Sequence, residues 1–407
     1  MARFGCIADD FTGASDMASF LARGGMRTIL YNGIPETRDL EDGADAVVIA
    51  LKTRTQDTQA AVECSLAALK YLRERGCERF YLKYCSTFDS TPLGNIGPVC
   101  DAVMEALGVR YTLLCPALPV NGRTVREGKL YVNGVPLQES SMKHHPLTPM
   151  WDCALKKLME PQSKYPVYEL GRDLWETEHP EKHYYLVPDC EDQADLTAIA
   201  RHFGQLPLLT GGSGLAEDLA RAWMAGAGAG TVQKLAATEG NALLLAGSCS
   251  QATRAQIARF RSGGGACLRL SPDELMDPAW DFEAFWSQLR RELEAHCVLV
   301  YTSDTPEQVR QAQQRWGNIS GLLEETLAAL AQRARDAGIG KFIVAGGETS
   351  GAVTRRLGMQ SYYIGESVAP GVPVMMPLQD RTLRLVLKSG NFGQPDFFER
   401  AIGMLSA

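Results

Sequence analysis

The chain has 407 residues, 45% of them hydrophobic and 22% charged, with a formal net charge of −7. That length exceeds one ordinary core and implies two domains, in a composition typical of globular proteins. The acidic balance argues against nucleic-acid and anionic-membrane binding, which call for a basic face. It leaves room for a small anionic substrate, where local charge decides.

Eleven cysteines are scattered, mostly inside apolar runs, and no C-x-x-C pair occurs. Neither a zinc ribbon nor a thioredoxin-type motif is implied; they read as small buried residues of a reducing compartment. The start has no signal-peptide pattern, and no apolar run reaches the roughly 18 residues of a membrane span. A cytoplasmic chain is expected.

The first apolar run ends in CIADDFTGASD, Cys6 to Asp16. Asp9 and Asp10 stand side by side where a strand should meet its helix. Two like charges there repel and lose hydration, so they need a cation, a donor or a chemical role. Ala14, Met17, Ala18 and Leu21 then recur at helical spacing until Gly24-Gly25. RTILYNG and ADAVVIALKTRT follow, then a helix over about 58–74, ERFYLKYCSTFDSTP, a helix over about 98–107, and RYTLLCPALPVNGRT. Strands separated by helices predict a parallel sheet with right-handed crossovers.

In such a sheet ADDFTG, LKTRT, KYCSTFDSTP and CPALPVNGRT all lie at the carboxyl edge, where open α/β sheets bind ligands. That edge gathers Asp9, Asp10, Thr12, Lys52, Arg54 and Lys83, and then Ser86, Thr87, Asp89, Ser90, Asn121 and Arg123. Lys52 and Arg54, two apart, should point to one side of an extended segment. Cations beside hydroxyls and carboxylates suit a small polyhydroxylated anion; the competing explanation is solvated loops with internal salt bridges. Further on, Asn133-Gly134 predicts a hairpin. His144-His145 has no spacing for a metal pair and fits either an anionic substrate or a structural turn. TGGSG, Thr210 to Gly214, is a Gly-rich turn whose backbone N–H groups could face an anion.

AGAGAGTVQKLAATEG, Ala225 to Gly240, has small residues and no apolar period, as a linker does. The expected division is a first domain over 1–228, a linker over 229–240 and a second domain over 241–407. The second part restarts with NALLLAGSCSQATRAQIARF, and HCVLVYTSD and KFIVAGGETSGAVTRRLG repeat the strand–turn–helix order. Gly346 to Gly351 let the backbone approach a ligand, with free N–H groups forward and Thr and Ser hydroxyls added. This is phosphate chemistry, although neither a Walker P-loop nor G-x-G-x-x-G; a structural turn is the alternative. LRLVLKSGNFGQPDFFERAI brings Lys388, Ser389, Gly390 and Gly393 after another strand, which PGVPVMMPL could pair.

Taken in order, ADDFTGASD, KYCSTFDST, NGRT, HHPLTPM, TGGSG, AGSCS, AGGETSGAV and LKSGNFG make the chain resemble the four-carbon acid sugar kinase family over nearly its whole length. The resemblance implies an α/β protein of two domains, each with a mainly parallel sheet flanked by helices. The first would bind a sugar acid and the second ATP. The branch acting on the 4-hydroxyl of 3-oxo-tetronate is most similar, with threonate and erythronate as alternatives. Carried over by residue, ATP would meet Ser248, Gly347, Glu348, Thr349, Ser350 and Gly390. The sugar acid would meet Arg54, Lys83 and Ser86, with Asp10, Asp9 and Asp89 as catalytic carboxylates; the sheet edge itself adds Lys52 and Arg123 as substrate-binding candidates. Mg²⁺ accompanies ATP, its protein ligands unassigned; a homodimer is left open.

Rival classes lack their signatures. A haloacid-dehalogenase-like phosphatase needs D-x-D, and here Asp9-Asp10-Phe11-Thr12 omits the second carboxylate. A nicotinamide dehydrogenase wants G-x-G-x-x-G after its first strand. A non-catalytic sugar-acid sensor is the remaining alternative, distinguished by whether ATP is consumed when a sugar acid is present.

Overall fold

Asp10 opens the first helix by accepting a hydrogen bond from the Gly13 N–H at 2.8 Å, and the apolar stripe of that helix, Ala14, Met17, Ala18 and Leu21, is wholly buried. This strand–cap–helix step recurs through a computed structural model that describes residues 3–36, 43–144, 148–172, 175, 177–225 and 235–406. His145 and positions 229–234 of the expected linker lie outside the described residues. The chain divides into two units, Met1–Val232 and Gln233–Ala407.

The first unit runs β1 (Arg3–Ala8), α1 (Phe11–Arg23), β2 (Thr28–Asn32), β3 (Ala46–Ala50), α2 (Thr58–Glu74), β4 (Cys77–Lys83) and α3 (Ile96–Leu107). Then come β5 (Tyr111–Leu113), β6 (Arg123–Arg126), β7 (Lys129–Val132), β8 (Val135–Pro136), α4 (Leu155–Met159), β9 (Val167–Leu170), β10 (Tyr184–Pro188), α5 (Gln193–Phe203), β11 (Leu208–Gly211) and α6 (Ala216–Met224). The main sheet is parallel, in the order β11-β4-β1-β3-β2. The run RYTLLCP departs from the expected single sheet: it supplies β5 of a small parallel sheet, β5-β10-β9. A parallel bridge from Cys115 to Gly211 still holds CPALPVNGRT at the carboxyl edge of the main sheet. The predicted hairpin forms between β7 and β8, with Asn133 at φ 51° and Gly134 at φ 78°, the backbone a type I′ turn demands.

The second unit contains β12 (Ala242–Ala246), α7 (Gln251–Ser262), β13 (Ala266–Arg269), α8 (Pro272–Leu275), α9 (Phe282–Ala295), β14 (Val298–Tyr301), α10 (Pro306–Trp316) and α11 (Ser320–Asp336). It ends with β15 (Lys341–Ala345), α12 (Gly347–Arg356), β16 (Ser361–Ala369), β17 (Val372–Pro377), β18 (Arg384–Lys388) and α13 (Phe397–Ser406). Strands β13, β14, β12, β15 and β18 are parallel neighbours. β17 runs antiparallel to both β18 and β16, so PGVPVMMPL does pair with LRLVLKS. Leu244, Ile343 and Val386 from adjacent strands meet Phe397 and Phe398 of α13 in its core. Leu235 to Gly240 do not behave as free tether: Ala236 O accepts from Arg384 Nε at 2.9 Å, and Thr238 N–H donates to Leu405 O at 3.3 Å. Both units are thus α/β, with mainly parallel sheets flanked by helices. No helix among the described residues is long and apolar enough to cross a membrane.

Candidate active site

Arg54 explains the paired aspartates. Its Nε and Nη2 donate to both Asp9 oxygens at 2.8 Å, and Nη2 also reaches Asp10 Oδ1 at 2.9 Å. Burial pushes the Asp9 carboxyl up while Arg54 pulls it down, and the two aspartates hold the guanidinium charged. The Nε–Nη2 fork of Arg54, a residue expected to meet the substrate, is thus filled by carboxylates of this chain, with Nη1 outside those bonds. Asp9 is filled as well. Asp10 is not, because Gly13 N–H and Arg54 both use Oδ1, leaving Oδ2 without a partner among the described residues on a side chain 32% exposed.

Lys83 ends β4 beside this pair, nearly fully buried, with Nζ donating to Tyr84 O at 2.7 Å. A methyl group on Gly13 would strike Asp10 Oδ1 and come within 3.0 Å of Lys83 Nζ, so only glycine lets both reach this corner. Asp89 is buried and accepts from Thr87 Oγ1 at 2.6 Å. It follows Phe88, a fully buried residue at φ 51°, a backbone strain of about 1–3 kcal/mol of the kind that clusters at functional loops. Asp9, Arg54, Lys83 and Asp89 border a cavity of about 30 Å³. That holds a water or two and no organic substrate. Ser86 sits half-buried next to Gly212. Lys52 is exposed and has no ion partner among the described residues. Because residues 54–55 turn rather than extend, the two-residue alternation expected of Lys52 and Arg54 does not apply. Arg123 opens β6, half-buried, with Nη1 donating to Asn121 O.

Two polar residues of this corner escaped the sequence reading. Asp16 is buried on α1, accepts from Ser213 Oγ at 2.5 Å, and leaves Oδ1 without a partner. Burial raises its pKa, against the opposing fields of Lys83 and Arg123. Ser213 belongs to TGGSG, whose glycines have a packing role. Side chains at Gly211, Gly212 or Gly214 would run into the carbonyls of Cys115, Pro116 and Ala117. The glycines permit backbone-on-backbone packing and so deliver Ser213 to Asp16.

In the second unit, Ser248, Gly347, Glu348 and Thr349 line one cavity of about 260 Å³. Gly346 precedes α12 at φ 133°, and the first intrahelical bond runs from Ser350 N–H to Gly346 O. The N–H groups of Gly347, Glu348 and Thr349 therefore stand free at a helix start, an anion-binding arrangement. Ser350 lies behind them, its Oγ buried without a partner. Gly390 approaches Ser248 so closely that a side chain there would strike Ser248 Oγ, and its carbonyl accepts from Ser250 Oγ at 2.6 Å and Thr253 Oγ1 at 2.9 Å. Val309, Ala312, Ile319, Leu323 and Leu327 of α10, α11 and their junction give the same cavity an apolar wall. Sequence reading missed this wall, since apolar residues at helical spacing look like core.

The first part of the chain, residues 4–219, matches the family model described as a sugar-binding N-terminal domain, and residues 243–398 match a nucleotide-binding C-terminal domain. A curated protein of Brucella melitensis named 3-oxo-tetronate kinase is 44% identical over 98% of this chain and 95% of its own length. The chain belongs to the four-carbon acid sugar kinase family. Curated family members from Cupriavidus necator and other bacteria carry the same name. A Haemophilus influenzae crystal structure shares 38% identity at a TM-score of 0.82, covering 98% of this chain and 100% of that one.

One further residue of the nucleotide-binding domain carries a pH signature. Lys388 is buried, and its Nζ donates to Thr253 Oγ1 at 2.9 Å and to the carbonyls of Ser389 and Gly390 at 3.0 Å. Burial lowers its pKa to about 7 from 10.5. The unfolded chain then binds a proton that the folded chain has lost between about pH 7 and 10.5, so this group's contribution to stability rises with pH across that window. Below about pH 7 the full cost of burying the charge is present. Lys388→Met removes the titration. The melting temperature of the wild type, minus that of the variant, should increase from about pH 7 to 9.5 by calorimetry; a flat difference would show no titration there.

Proposed function

We propose that the chain is an ATP-dependent kinase that phosphorylates 3-oxo-tetronate at its 4-hydroxyl. The full-length likeness to curated 3-oxo-tetronate kinases carries this reading. The sugar acid is assigned to residues 1–228 and ATP to 241–407, with 229–240 between. Eleven unpaired cysteines agree with a reducing, cytoplasmic setting.

Phosphoryl transfer asks a protein chiefly for positioning and charge stabilisation. In this reading the free N–H groups at the start of α12, with the Thr349 hydroxyl, hold phosphate oxygens, and the apolar wall takes the base. The C4 oxygen bonds to the γ-phosphorus, the bond to the β–γ bridging oxygen breaks, and ADP leaves. Asp10 Oδ2 receives the hydroxyl proton. Asp9 and Arg54 hold Asp10 in place, and Asp89 orders the loop at the same edge.

No three His, Cys, Asp or Glu side chains among the described residues form a metal cage. Mg²⁺ in phosphoryl transfer is held mainly by phosphate oxygens and water with one or two carboxylates. Glu348 and Glu324 both line the nucleotide cavity. Burial and then the neighbouring Glu348 raise the Glu324 pKa, so these are the carboxylates that would hold the ion. An ion held there would neutralise phosphate charge.

The test is a coupled ADP-release assay with 3-oxo-tetronate, threonate, erythronate, neutral tetroses and five-carbon acids. The greatest kcat/KM is expected for 3-oxo-tetronate. Preference for threonate or erythronate would reassign the substrate within the family, and no ADP release with any acid would end the kinase reading.

A further inference from the structure

Asn95 stands at the cap position of α3, and it does not cap. Its backbone is already helical, with φ −100° and ψ −10°, and its side chain makes no bond to the helix start. Asparagine is among the residues best suited to capping, so its side chain is engaged elsewhere. Gln162, which follows α4, caps in its stead: its Oε1 accepts from the Gly97 N–H at 3.0 Å. Pro98, next in line, has no N–H to satisfy. The buried Asn95 amide turns to the loop after β3. Its Nδ2 donates to Thr53 O at 2.7 Å and to Gln56 O at 2.8 Å, and its Oδ1 accepts from Thr58 Oγ1 at 2.8 Å. Both donors and the acceptor are used, and two carbonyls facing one NH₂ admit a single orientation of the amide. Thr53 and Gln56 bracket the turn that carries Arg54. Asp9 O holds the same turn, accepting from Thr53 N–H at 3.1 Å and Arg54 N–H at 3.4 Å. The place of Arg54 is therefore set through its backbone. That matters because its Nη2 divides between Asp9 at 2.8 Å and Asp10 at 2.9 Å. A small retreat of the turn would keep the pair with Asp9 and forfeit Asp10.

We propose that Asn95 is a positioning residue of the transfer reaction. It touches no reacting atom. It holds the turn over 53–56 so that Arg54 spans Asp9 and Asp10, which keeps the Asp10 carboxylate aimed at the substrate hydroxyl. This assignment rests on the sugar-acid kinase reading with Asp10 as base.

Asn95→Ala leaves both carbonyls without the amide and should lower kcat with 3-oxo-tetronate about tenfold, the scale of a slightly misplaced catalytic group. KM for ATP should be unchanged. A merely structural residue would lower kcat by the same factor whatever stands at position 54. A cycle with Arg54→Lys separates the two roles, because lysine keeps the charge and cannot bridge two carboxylates as the guanidinium does. In that background Asn95→Ala should cost less than about twofold, since the two substitutions break one linkage. A tenfold loss in both backgrounds overturns the proposal, and so does an unchanged kcat in folded Asn95→Ala. Urea denaturation reads the same cycle without catalysis, and it decides if Arg54→Lys is too slow to assay. The midpoint shift of the double variant should fall short of the sum of the single shifts, and strict additivity overturns the proposal. If Asn95→Ala misfolds, Thr58→Val takes its place, because it frees only the amide Oδ1. It should lower kcat about threefold in the wild type and leave Arg54→Lys unchanged; equal effects in both overturn the proposal. Failure of the kinase reading looks different: the wild type then releases no ADP with any acid, while the urea cycle still reports whether Asn95 acts through Arg54.

Discussion

Asp10→Asn is expected to lower kcat by about 10² or more in a folded protein, the usual scale for losing a general base. Asparagine caps a helix as well as aspartate does, so the bond to Gly13 N–H survives and α1 stays anchored. What disappears is the charge and basicity of Oδ2, the one oxygen of the pair with no partner among the described residues. Charge repulsion alone would have the melting temperature hold or rise. Arg54 reverses that expectation, because it bonds both carboxylates, and removing one charge loses an attraction of about 1 kcal/mol at this partly exposed position. Asp9→Asn separates the roles. It breaks the two-pronged pair and should cost on the order of 3 kcal/mol of stability, read by urea denaturation. A folded Asp10→Asn enzyme with near-normal turnover would move the base to Asp89.

The second large effect belongs to Gly346. At φ 133°, a side chain there is strained, and its Cβ would lie 3.0 Å from Thr349 Oγ1 and 3.2 Å from Ser248 N. Gly346→Ala should tilt the first turn of α12 away from the phosphates and weaken ATP binding roughly 10²-fold, equivalent to one or two charge-assisted hydrogen bonds. Thr349→Val removes only a hydroxyl and should weaken ATP binding roughly tenfold with the fold retained. Nucleotide calorimetry checks both. Unchanged affinity in the two variants would detach this turn from the phosphates.

The architecture was legible because it rests on local signals: apolar strands, helical spacing, and polar loops that a parallel sheet must place at one edge. The Asn133-Gly134 hairpin and the Gly346 turn are read from residues that tolerate little else. What could not be read depends on which distant side chains meet. That Arg54 meets both Asp9 and Asp10 is one such fact. Asp16, mid-helix, looks solvated until α1 is packed and Ser213 arrives from nearly two hundred residues away. The TGGSG glycines resemble an anion nest, yet their spacing answers to the carbonyls of Cys115 to Ala117.

The strand order of the first unit has a consequence for synthesis. β1 to β4 are complete by Lys83, but the outer neighbour of β4 is β11, which begins at Leu208. At ribosomal rates of about 5–20 residues per second, roughly 6–25 s separate the two. During that interval the nascent chain carries an unpaired, largely apolar β4 edge, a template for association with other chains. Closing it needs contacts far apart in sequence, which fold slowly. Truncations ending before Leu208 should therefore aggregate, whereas chains reaching Met224 can close the sheet and dock α6 over it.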